Sequence, residues 1–197
     1  PRAAPLAPEA APGTRYPPAM HRSASVLLGS LVSLLVACSS TPPVRWQEGG
    51  AALAIAPARW QRGSRVVAEL KPDGSVEERG RETFFIDVAG RIADHKREPV
   101  AVLLPDGLVA GLDDLDLGRV GVSNASPPGS TYAWLALMPD GTVMRFDADG
   151  DRQPDGAWSG CTGPVLRTCT LITHLIALRG YRQHGGPIVG VGVGIGF

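Results

Sequence analysis

The stretch "VVAELKPDGSV", residues 66–76, joins two short apolar and β-branched runs through Pro-Asp-Gly. Each turn residue suits a tight reversal for its own reason. Proline presets φ at the first central position, aspartate suits the next, and glycine takes the left-handed conformation that closes a bulged hairpin. The tripeptide returns in "VAVLLPDGLV" (100–109) and "LALMPDGTV" (135–143), at spacings of 33 and 34 residues, and once more at 154–156. All four are expected to be hairpin tips. The even spacing hints at a duplicated strand-turn-strand unit, although the flanking residues match only loosely.

Working outward, "TFFIDV" (83–88), "PVAVLL" (99–104) and "TYAWLALM" (131–138) are short runs rich in β-branched and aromatic residues, with turn residues on both sides. They predict a mainly β fold built from antiparallel hairpins. Alternation along the runs is imperfect, which leaves an open sheet, a sandwich and a small barrel all compatible. "GLDDLDLGRVGVSNASPPGS" (111–130) reads as a loop-rich connection. One segment departs from the β pattern. After Gly163-Pro164, residues Val165, Cys169, Ile172 and Ile176 recur at helical spacing, and Gly180 is placed to end the helix, so a helix is expected over 164–179. The β-branched content of the same stretch also allows a buried strand. His174 lies within it and is expected to be a packed or rim residue. The tail "PIVGVGVGIGF" (187–197) predicts a Gly-rich final strand, covered by a neighbouring element or offered for self-association. Gly190 and Gly192 do not continue into a dinucleotide fingerprint.

The longest apolar run of the first third, Val26–Ala37, holds twelve residues, against the roughly twenty needed to cross a hydrocarbon core. It follows Met20 and Arg22, the order of an export signal. Its last residues, Leu35, Val36, Ala37 and Cys38, resemble the lipobox of bacterial lipoproteins. The resemblance implies cleavage before Cys38, thioether lipidation of its sulfur and acylation of the new amino terminus, with palmitate-type chains tethering the protein to the outer membrane. Ser39 and Ser40 lack the acidic second residue that in this family favours inner-membrane retention. The chain then divides into a leader that is disordered or an artefact of translation (1–19), a signal peptide (20–37), a tether (38–50) and a single β-rich domain (51–197).

Lys and Arg number 19 against 19 Asp and Glu, a balance that points away from a nucleic-acid partner. No carboxylate side chain follows Asp155, whereas Arg167, Arg179 and Arg182 do, so the basic tail is expected to pair internally with acidic turns. With Cys38 set aside, Cys161 and Cys169 form an even pair in an oxidising compartment and are expected to form a disulfide.

"DADGDRQPDG" (147–156) places Asp147, Asp149, Asp151 and Asp155 at positions one, three, five and nine of a calcium-type loop. It resembles the Asp-rich loops of thrombospondin type 3 repeats, which implies Ca²⁺ as a candidate ligand and a calcium-dependent adhesion module as one function. Arg152 and Trp158 depart from that pattern, and two successive Asp-Gly turns account for the same residues. No nucleophile elbow, zinc signature or phosphate loop is found, and His95, His174 and His184 form no ligand spacing. The expected function is therefore a non-enzymatic envelope lipoprotein whose β domain is structural or binds another envelope protein. A periplasmic hydrolase is a further alternative.

Overall fold

A computed structural model describes residues 40–147 and 149–183, the last three by backbone alone. Among them, twelve antiparallel strands close into a barrel. In chain order they are β1 (Ala58–Arg62), β2 (Arg65–Leu70), β3 (Ser75–Glu78), β4 (Arg81–Ile86), β5 (Arg91–Asp94), β6 (Pro99–Leu103), β7 (Leu108–Gly111), β8 (Asp116–Val120), β9 (Asn124–Ser126), β10 (Leu135–Leu137), β11 (Thr142–Phe146) and β12 (Arg152–Ser159). Each strand pairs with its sequence neighbour, and β12 pairs with β1 through Arg59↔Ser159 and Trp60↔Trp158 to close the ring. The mainly β, hairpin-built expectation is met by its barrel form.

The first three Pro-Asp-Gly turns join β2 to β3, β6 to β7 and β10 to β11, so they recur every fourth strand and all lie at one end of the barrel. Their chemistry is the same each time. Asp73, Asp106 and Asp140 accept backbone N–H bonds from Ser75, Leu108 and Thr142, at 3.0, 3.1 and 2.9 Å. The glycine carbonyls of Gly74, Gly107 and Gly141 accept from the amides of Ile86, Val120 and Trp158, at 2.9, 2.7 and 2.8 Å. The even spacing in sequence is thus a four-strand period around the ring. The fourth Pro-Asp-Gly is not a hairpin tip: Pro154, Asp155 and Gly156 lie inside β12. There Gly156, at φ +91°, lets β1 approach so closely that a Cβ would sit 2.1 Å from the Gln61 carbonyl oxygen. One reversal, not two, therefore separates β11 from β12.

Two further expectations change. The stretch 111–130 contains β8 and β9 in addition to loops, since tertiary pairing with β7 and β10 supplies ladder bonds its own propensities do not demand. The run 131–138 yields only the short β10.

A helix, α1 (Leu166–Gln183), follows a 3₁₀ turn over Gly163–Val165. It begins near 164 as expected but continues past Gly180. Thr168, Cys169, Thr170, Leu171, Ile172, Thr173, His174 and Leu175 are all buried, which covers every face of the helix. Its side-chain partners come from around the ring: Ala54 ahead of β1, Leu117 of β8, Val122 after β8, Trp134 ahead of β10 and Trp158 of β12. The barrel therefore encloses its own C-terminal helix. The core combines that helix with the inward residues of the strands, including Trp60, Leu70, Phe84, Ile86, Ile92, Leu103 and Leu135.

The helix enters at the Pro-Asp-Gly end, where Cys161 and Cys169 form a disulfide with Cα atoms 6.1 Å apart. The same end is crossed by residues 50–53, whose amides at Gly50, Ala51 and Leu53 bond to the carbonyls of Ala89, Leu103 and Val88. Earlier in the stretch expected as a tether, Thr41 and Asp113 exchange hydrogen bonds at 2.7 and 3.0 Å, and Pro43 is buried. From Thr41 onward, then, this stretch is held against the barrel.

Candidate functional site

The interior is the natural place to look for chemistry, and α1 fills it. Its threonines are satisfied by carbonyls of the surrounding chain and of the helix's own preceding turn. Thr168 Oγ1 donates to the Ala54 carbonyl at 2.7 Å, and Thr170 Oγ1 lies 2.9 Å from the carbonyls of both Leu166 and Val122. Thr173 Oγ1 donates to the Cys169 carbonyl at 2.8 Å and accepts from Trp158 Nε1 at 2.9 Å. Trp158 in turn stacks on Trp60, centroids 6.0 Å apart.

His174 is fully buried and both ring nitrogens are occupied. Trp134 Nε1 donates to its Nδ1 at 3.1 Å, which fixes the tautomer with the proton on Nε2, directed at the Leu117 carbonyl 2.7 Å away. Burial pushes its pKa down to about 4, against smaller opposing effects of the Leu117 carbonyl and Asp116. Gly118 makes room for this ring: at φ +100°, a Cβ there would lie 2.9 Å from His174 Cε1 and 2.3 Å from the Ser126 carbonyl oxygen. A neutral, doubly bonded, water-excluded imidazole is a fixed packing element, in keeping with its expected role as a packed residue. Its neighbour Cys169 is held in the disulfide with Cys161. His95 lies apart, exposed in the turn between β5 and β6.

The calcium-type carboxylates are not gathered around one point. Asp147 Oδ1 accepts the backbone amides of Asp149 and Asp151 at 3.1 and 2.8 Å, an Asx arrangement that builds the β11–β12 turn from within. Asp155 is committed elsewhere. Arg62 Nε lies 2.6 Å from its Oδ1, and Arg145 Nε bonds to Oδ2. Its main-chain carbonyl accepts from Trp60 Nε1 at 2.9 Å. Among the described residues, no group of three or more His, Cys, Asp or Glu side chains is placed to hold a metal ion.

What the barrel presents outward is its two ends. At the end opposite the Pro-Asp-Gly turns, α1 leaves the barrel, and Arg179 bonds to Glu78 of β3 while its guanidinium lies over Phe84. Of the arginines expected to pair with acidic turns, Arg179 finds its carboxylate on β3 and not in the acidic centre of the sequence, Arg167 donates to the Val120 carbonyl at 3.4 Å, and the Arg182 side chain lies outside the described residues. On the same rim, β1 and β2 meet at Arg62↔Arg65 and β3 and β4 at Glu78↔Arg81. The pairing Ala68↔Glu78 brings these two hairpins side by side. Arg65, Arg79 and Arg81 are exposed there, and among the described residues none of the three makes an ion pair or a side-chain hydrogen bond. Counting charges along the chain misses this cluster, because residue 65 reaches residues 79–81 only through sheet register. Cys38, His184 and the Gly-rich tail 187–197 lie outside the described residues. No helix among the described residues is long and apolar enough to cross a membrane. No protein-family model, curated protein or solved structure matches this chain.

Proposed function

We propose that this protein is a lipid-anchored bacterial envelope lipoprotein whose barrel serves as a structural or binding module and not as an enzyme. The observation that carries the anchoring is the lipobox-like Leu35-Val36-Ala37-Cys38, which stands at the end of an export-type apolar run. Several acyl chains on Cys38 would hold durably, since each buried methylene contributes about 0.8 kcal/mol and one chain alone is marginal. The non-enzymatic part is supported by the interior. The groups best suited to nucleophilic or general-base work, His174, Cys161 and Cys169, are each consumed by an internal contact. Function then belongs to the outer surface and the ends of the barrel.

Intact-mass measurement of the native protein tests the anchor. An amino terminus at Cys38 carrying acyl chains is expected, and Cys38→Ser should move the protein from the membrane to the soluble fraction. A Cys38→Ser protein that still sediments with vesicles at unchanged mass would refute the anchor.

A further inference from the structure

Resting on the lipid-anchor reading above, we propose that the rim carrying Arg65, Arg79 and Arg81 lies on the membrane surface, with these arginines bound to the phosphates of lipid headgroups.

The orientation follows from where the chain leaves the barrel. Thr41 is pinned to Asp113 in the β7–β8 connection, which belongs to the end opposite the Pro-Asp-Gly turns. Cys38 stands three residues earlier, so an acylated sulfur there is within about 10 Å of this rim along even a fully extended chain. Acyl chains so close to one end of the barrel bring that end, and not the other, to the bilayer.

The rim's chemistry fits the same surface. Guanidinium groups bind phosphate oxygens bidentately, and a cluster of them without carboxylate partners is a cationic surface awaiting anions. The β7–β8 and β11–β12 turns of this rim carry Asp113, Asp114, Asp147, Asp149 and Asp151. In the β1–β4 sector the carboxylates at hand, Glu78 and Glu82, are engaged by Arg179 and Arg97, which leaves Arg65, Arg79 and Arg81 unpaired. In ring order, the β1–β2 turn lies six strands from the β7–β8 connection. The acyl anchor would therefore hold one side of the rim and the arginines the opposite side, two separated supports that keep the barrel upright on the bilayer.

Backbone conformation adds an independent observation. Arg79 and Gly80 both have positive φ, +52° and +77°, as a two-residue hairpin turn requires. Asn suits the first of these positions, and arginine has no local reason to occupy it. Arg45 and Arg97 also take positive φ, at +60° and +68°, and each ion-pairs within the chain, with Glu48 and Glu82; Arg79 has no such partner and is left for contact with something outside the chain.

The test uses the full-length acylated protein in vesicles, read by amide hydrogen exchange. In vesicles of phosphatidylethanolamine with phosphatidylglycerol, exchange in the turns at 63–65 and 79–81 should slow several-fold relative to phosphatidylcholine vesicles. The turns at 72–74, 105–107 and 139–141 should be unchanged. Raising the salt should reverse the protection, since exposed charges are screened over about 8 Å at physiological ionic strength. The Arg65→Gln, Arg79→Asn, Arg81→Gln triple variant should lose the protection while remaining in the vesicle fraction. It should melt no lower than the parent, because Asn favours the turn; a solely structural role for Arg79 would lower the melt. Equal exchange at both ends in vesicles that retain the protein, or protection of the Pro-Asp-Gly turns, would overturn the proposal and leave the anchor standing. Loss of the protein from the vesicles altogether would overturn both.

Discussion

Gly118 and His174 depend on each other at the scale of single residues. The glycine's positive φ and missing side chain let the imidazole reach the Leu117 carbonyl, and the imidazole gives Trp134 Nε1 an acceptor inside the barrel. Gly118→Ala combines a left-handed alanine with a clash against the ring and the Ser126 carbonyl, so a loss of about 2–4 kcal/mol is expected in urea unfolding. His174 also sets a pH dependence whose sign is fixed. Its folded pKa of about 4 lies below the ordinary 6.5, so the unfolded chain binds the proton first. Stability is whole above pH 6.5 and falls as the pH drops toward 4, by about 3 kcal/mol over that window. Stability curves at pH 7 and pH 4.5 should show this fall, and His174→Gln should remove most of it. Glu69, Asp73 and Asp140 act at lower pH. Their carboxyls are held below the usual range, first by Arg59 for Glu69 and by the amides of Ser75 and Thr142 for the two aspartates.

Turns and the helix, at the scale of elements, differ in how openly the sequence announces them. The Pro-Asp-Gly tips were legible because each residue does its work locally, through a side-chain bond two residues on and a left-handed glycine. The copy at 154–156 carries the same letters and lies within a strand, because β12 is paired on one side by β1, about a hundred positions earlier, and on the other by β11, its hairpin partner. Closure from β1 to β12 is equally invisible in a local reading, which is why barrel and sandwich could not be separated. The helix was legible from Val165, Cys169, Ile172 and Ile176, but a one-sided stripe implies a solvent face that this helix lacks. Thr168, Thr170, Thr173 and His174 are polar residues turned inward, each tied to a carbonyl or an indole. Asp73→Ala, Asp106→Ala and Asp140→Ala should each lower the melting temperature, since each removes the shared amide bond of its turn; Asp73 and Asp106 give up in addition a bond from Ser75 Oγ and an ion pair with Arg119. An Asp140→Ala protein that melts at the wild-type temperature would count against the shared amide bond as a source of turn stability. Replacing Cys161 and Cys169 together with serine should cost about 2–3 kcal/mol for so short a loop, with reduction of the wild type reproducing the shift.

For the whole molecule, the ring and its contents form one cooperative object. Strands supply a wall, the helix supplies the filling, and residues 50–53 bond across the end where the helix enters. A chain ending at Gly160 keeps every strand and lacks the helix. It should show no cooperative thermal transition and should bind a hydrophobic dye, because Trp60, Leu135 and Trp158 lose the surface they pack against. Mutations that only trim the helix beyond Arg179 should leave the transition intact.

A core delivered last imposes an order of events on biosynthesis. A polypeptide made from its amino terminus exposes all twelve strands before the segment that satisfies them has been synthesised, so the nascent wall is an unfilled, sticky sheet until the helix that follows β12 appears. Whatever escorts the newborn chain must shield that surface from the first strand until α1 has emerged, and maturation can begin only then.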